Sequence, residues 1–132
     1  MLKKFLIVLV CAPVVYFAAW IGFLTVSLEN APEVSVVVKG YDPRDLLSGH
    51  FLNLAPDWAQ TDCAQFENGI CPEEAFENNY RYYVPEEAAP KLEKMIFEPQ
   101  TRAELVFAFL PKMAPRVKNL LINGKVWQEA LN

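Results

Sequence analysis

Histidine is nearly absent from this chain, with His50 the only one, and cysteine stops at three. A structural zinc site needs four ligands, and one imidazole cannot complete a pair of cysteines, so no metal centre is expected. A basic surplus is missing too. Lysine and arginine number 12 against 16 acids, for a net charge of −4, and setting aside Lys3 and Lys4 leaves ten against sixteen. A net −6 outside the N-terminus lacks the basic footprint of a nucleic-acid binder. Internal repeats and low-complexity runs are lacking as well. Glycine is sparse, at five residues, so each one reads as punctuation.

Charge disappears altogether from Phe5 to Leu28, a run of 24 residues. About 20 apolar residues suffice to cross ~30 Å of hydrocarbon, so residues 5–28 predict a bilayer-spanning helix in contact with lipid. Pro13 and Gly22 are tolerated there. Lys3 and Lys4 precede the run and Glu29 and Glu33 follow it, which places the N-terminus in the cytoplasm and the rest outside. A cleaved signal peptide is the competing reading, with Thr25-Val26-Ser27 as its weak site. The division expected is residues 1–30 as N-terminus and anchor and 31–132 as a single outer domain.

That domain opens with Val34, Val36, Val37 and Val38, whose branched side chains suit a strand that ends at Lys39-Gly40. Asp42-Pro43 predicts a turn or the cap of a helical turn carrying Arg44 to Leu47, closed by Gly49. A second strand, His50 to Leu54, is expected to be covered on both faces or twisted. Asn79 to Val84 reads as a strand with Tyr80, Tyr82 and Val84 on one face. Pro85 opens a helical pattern with Leu92, Met95 and Ile96 as its apolar stripe, and Pro90 delays the true start to Ala89-Pro90. Arg102 to Leu110 alternates as a buried strand. Arg116 to Ile122 returns antiparallel to it, and Asn123-Gly124 predicts a tight hairpin into Lys125-Val126-Trp127. The last residues predict one helical turn. The fold class is α+β: a membrane helix, then a small antiparallel or mixed sheet of five or six strands with one packed helix.

Between Ala55 and Asn79 no period persists. Cys63 and Cys71 lie in this loop, and in an exported domain two nearby cysteines predict a disulfide worth about 2–3 kcal/mol. A redox role would prefer Cys-x-x-Cys spacing. Cys11, inside the apolar run, reads as a small apolar residue.

The run Gly40 to Leu54, GYDPRDLLSGHFLNL, resembles the signature of the GDYXXLXY family of bacterial membrane-anchored proteins. Tyr41, Asp42, Pro43, Arg44, Asp45, Leu46, Leu47, Gly49 and Leu54 match it; His50 replaces its Asp, Phe51 its Tyr, and Pro56 stands where a last Tyr is usual. The resemblance continues through Tyr82 to Ala88 and Leu120 to Lys125. It implies one membrane anchor in the bacterial inner membrane, a small domain outside, and no catalytic residues or cofactor to carry over.

Chemistry is thinly supplied. Ser48 lies two residues from His50, and the pair defines a rival reading, a small hydrolase, without an orienting third group. Asp42 and Asp45 read as cap and turn groups. Aromatic side chains are more plentiful: Trp58, Tyr80, Tyr82, Tyr83 and Trp127 are candidates for a partner surface, because Tyr and Trp anchor interfaces. The function this composition favours is a single-span envelope protein, not an enzyme, whose outer domain docks on another membrane protein. A cleaved, exported ligand-binding domain is the further alternative.

Overall fold

The computed structural model describes residues 1–40, 51–110 and 112–132. The signature positions Tyr41 to His50 therefore lie outside the described residues. The chain forms two units, Met1–Pro32 and Glu33–Asn132.

The first unit is one helix, α1, Leu2–Glu29. Its 28 residues, at 1.5 Å each, span about 42 Å, and it is long and apolar enough to cross a membrane. Pro13 sits inside it, and Thr25 Oγ1 donates to the Ile21 carbonyl one turn back (2.9 Å), the usual way a membrane helix satisfies a hydroxyl. Cys11 is a free thiol on this helix.

The second unit is a six-stranded antiparallel sheet. Its strands are β1 (Glu33–Gly40), β2 (Phe51–Pro56), β3 (Tyr80–Tyr83), β4 (Ala103–Ala108), β5 (Arg116–Ile122) and β6 (Lys125–Val126), with helices α2 (Ala89–Ile96) and α3 (Trp127–Ala130). The spatial order is β3-β2-β1-β4-β5-β6, so the valine-rich first strand is central and the sheet grows by a meander on each side of it. The crossing between the meanders runs through α2. Registers Val34↔Phe107, Val36↔Leu105 and Val38↔Ala103 put the β-branched face of β1 against the apolar face of β4.

One face of the sheet forms the core. Val36, Leu52, Leu54, Leu105, Phe107 and Leu120 are fully enclosed, and Leu92 of α2 closes over them. Helix α2 starts at Ala89 because Pro90 is harmless at the first helical positions but would break an interior hydrogen bond. Met95 and Ile96 pack at the rim of the same stripe. β2 is covered on both faces, as its lack of clean alternation predicted. Asn123 (φ 52°) and Gly124 (φ 81°) both take left-handed backbone, the conformation a primed two-residue hairpin needs.

One detail departs from expectation. Trp127 is not a strand residue: the strand stops at Val126 and Trp127 begins α3. Its indole Nε1 donates to Tyr82 Oη (3.2 Å), so a residue just past the last strand is tied to β3 at the opposite side of the sheet. The sheet is thus curled, not flat, and its two ends meet over the core.

Candidate interaction surface

Loop 57–79, where no regular period was found, is ordered by what it does for β1. Among the described residues, strand β1 pairs with β2 only at Val38, Lys39 and Gly40, and the edge below them has no strand neighbour. Backbone groups in a covered sheet must find partners. Here the loop supplies them. The Asp57 amide donates to the Val37 carbonyl (2.7 Å), and the Val37 amide donates to Thr61 Oγ1 (3.0 Å). Thr61, itself buried, passes its own hydroxyl hydrogen to the Asp57 carbonyl (2.7 Å). Two residues further back, the Ser35 amide donates to Gln65 Oε1 (3.0 Å) and Gln65 Nε2 donates to the Ser35 carbonyl (2.6 Å). The side-chain amide of Gln65 imitates a strand residue.

The disulfide between Cys63 and Cys71 closes this segment, with Cα atoms 4.9 Å apart. Asp62 caps the short turn at Cys63–Gln65 by accepting from the Ala64 amide (3.0 Å). Beneath it Phe66 and Phe76 enter the core. Phe76 stands edge-on to Trp58 (5.0 Å), Phe107 (4.9 Å) and Phe66 (6.3 Å). The loop is a lid for the sheet and a substitute for a missing strand.

This settles where the aromatic candidates sit. Trp58, Tyr80, Tyr82 and Trp127 are half-buried and pack against the core. Tyr80 Oη accepts from the Glu77 amide (2.9 Å). Burial pushes its phenol above the ordinary value, a rise the Glu77 amide opposes and the Glu77 carboxylate assists. Tyr83 differs, remaining 70% exposed on the outward face of β3. Phe51, opposite it in register, lies against its ring (centroids 5.8 Å), and the Arg81 guanidinium sits 5.2 Å from the Phe51 ring centroid. Asn53 shares this face, opposite Arg81. It is only 8% exposed, and its Oδ1 has no hydrogen-bond partner among the described residues. Of the other signature positions, Leu54 is a core residue.

At the end of β1 a cleft of ≈ 420 Å³ runs between Lys39, Gly40 and Asp57 and the segment from Phe97 to Arg102. The Phe97 ring lies over Gly40 so closely that a Cβ there would stand 2.5 Å from its tip. Both of the cleft's cations are paired: Lys39 faces Asp57 (3.7 Å), and Arg102 is bonded to Glu104 (2.9 Å). Among the described residues no group of three or more His, Cys, Asp or Glu could hold a metal. Ser48 and His50 lie outside the described residues.

Reading the sequence for aromatics singled out Tyr83 and passed over Thr61, Gln65 and Ile70. A polar residue's hydrogen bond to a strand 24 or 30 positions away leaves no local pattern. No protein-family model matches the chain, and no curated protein or solved structure resembles it at a significant level.

Proposed function

We propose that the chain is a single-span envelope protein of the GDYXXLXY type, with its N-terminus in the cytoplasm. Its outer domain is an accessory module that docks on another membrane protein, and it is not an enzyme. The observation that carries this reading is the Phe51, Arg81 and Tyr83 cluster. Burial explains the other aromatics of the sheet, whereas Tyr83 keeps 70% of its surface in solvent on the outermost strand of one meander. Aromatic and arginine side chains gathered on one outward face are the usual anchors of protein interfaces. The apolar helix supports a membrane anchor, and the Cys63–Cys71 disulfide supports an oxidising compartment for the domain. Lys3 and Lys4 before the helix, with acids after it, support the orientation.

The test is crosslinking of the full-length protein in intact membranes, followed by mass spectrometry of partner and termini. One dominant membrane-protein partner, an intact N-terminal helix, and a loss of about tenfold or more in Phe51→Ala/Tyr83→Ala with unchanged melting are expected, the size of an interface anchor. A partner retained in full by the double variant, or an N-terminus trimmed near Leu28 with no partner, would overturn the reading.

A further inference from the structure

The most exposed large apolar side chain of the unit Glu33–Asn132, among the described residues, is Ile70, at 73%. It lies between Gly69 and Cys71, inside the loop that the disulfide closes. Lone apolar side chains on a surface are ordinary. What distinguishes Ile70 is how firmly the backbone around it is fixed. On one side Gln65 is bonded twice to Ser35, and Phe66 is held edge-on by Phe76 and Phe109 (6.3 Å each). The Gly69 amide donates to the Phe66 carbonyl (2.9 Å), and Gly69 takes a φ of +64° that turns the chain outward. On the other side the Glu73 amide donates to the Cys71 carbonyl (3.0 Å). Covering the core does not require Ile70, because Phe66 and Phe76 do that from the same loop.

Its surroundings are of one sign. Asp62, Glu67, Glu73, Glu74 and Glu77 are all exposed, and no lysine or arginine occurs between residues 58 and 80. A side chain projecting this far from a loop cannot enclose a small ligand. An acidic loop is repelled by anionic lipid headgroups, which excludes the bilayer as what it meets. The surface that complements it is a protein with an apolar pocket and a basic rim.

Resting on the docking reading above, we propose that Ile70 is an anchor that enters an apolar pocket of the partner, and that lysines and arginines around that pocket face the loop's acids. Because the disulfide holds the tip in one conformation, little is lost to ordering on association.

The test places a photoreactive residue at Ile70, at Tyr83 or at Met113 in the full-length protein and irradiates intact membranes. The probe at Ile70 gives one dominant protein adduct, mapped to a segment rich in lysine or arginine, and the probe at Met113 does not. Glu73→Lys with Glu74→Lys lowers that adduct about tenfold, and added salt lowers it further. These side chains are exposed, so melting temperature is unchanged in every variant. An adduct from Tyr83 with none from Ile70 overturns this proposal and leaves the docking reading standing. Adducts to lipid at Ile70, or a protein adduct indifferent to charge reversal, overturn it as well. Silence at both positions overturns both.

Discussion

Toward β4, strand β1 is paired over six consecutive residues from Glu33 to Val38; toward β2 it is paired over three, and below them its neighbour is a loop. The two edges solve one problem in different ways. On the β4 side, backbone meets backbone and the partner's side chains, Leu105 and Phe107, are part of the core. On the loop side, Thr61 and Gln65 provide by side chain what a strand would provide by main chain, and a disulfide fixes the segment that carries them. The first edge is held by burial and needs no crosslink. The second is held by a few directed bonds and depends on the loop keeping its shape. That difference explains why a domain with a core this small carries a disulfide at this place and not in the sheet.

The comparison can be broken from either side. Leu105→Ala removes a fully buried side chain from the β4 edge and should cost about 2–5 kcal/mol in denaturant unfolding, enough to threaten folding. Cys63→Ser with Cys71→Ser, or reduction, should cost about 2–3 kcal/mol and fall on the loop edge alone. Thr61→Val keeps the shape but leaves the Val37 amide unpaired and the Asp57 carbonyl with the Gln60 amide alone, for about 1–3 kcal/mol, and Thr61→Ser should recover most of it. Gln65→Ala, at an exposed position, should cost about 0.5–1.5 kcal/mol.

The smallest effect concerns pH. Tyr80's phenol has its pKa raised in the folded protein, so its contribution is complete below the ordinary value of 10.0 and is lost as the pH rises from there through the folded value. A melting profile should show a shallow decline in that alkaline range, absent in Tyr80→Phe.

The sheet was legible where local chemistry and burial agree. Valines in β1, alternation in β4, and Asn123-Gly124 each announce their structure within a few residues. Pro90 marked the start of α2 for the same reason. The strand order was not legible, because nothing in β1 or β4 says that they pair across the whole of α2 and loop 57–79. Trp127 resembled the end of a hairpin strand, and became the start of α3, where its indole meets Tyr82 from the far side of the sheet. Candidate surface residues chosen by type alone mixed two populations. Trp58 and Tyr82 serve the core, and only the fold separates them from Tyr83.

Adjacent amides of β1 point to opposite edges, because the groups of successive strand residues alternate in direction. Val37 and Ser35 face the loop, and Val36, in register with Leu105, faces β4. Hydrogen exchange at these three amides, measured on oxidised and on reduced protein, tests the division most directly. Reduction should lower protection at Val37 and Ser35 about tenfold or more while Val36 keeps its own, the signature of local opening at one edge. Equal losses at all three amides, or no loss at Val37, would contradict the claim that the disulfide-held loop serves as the missing strand.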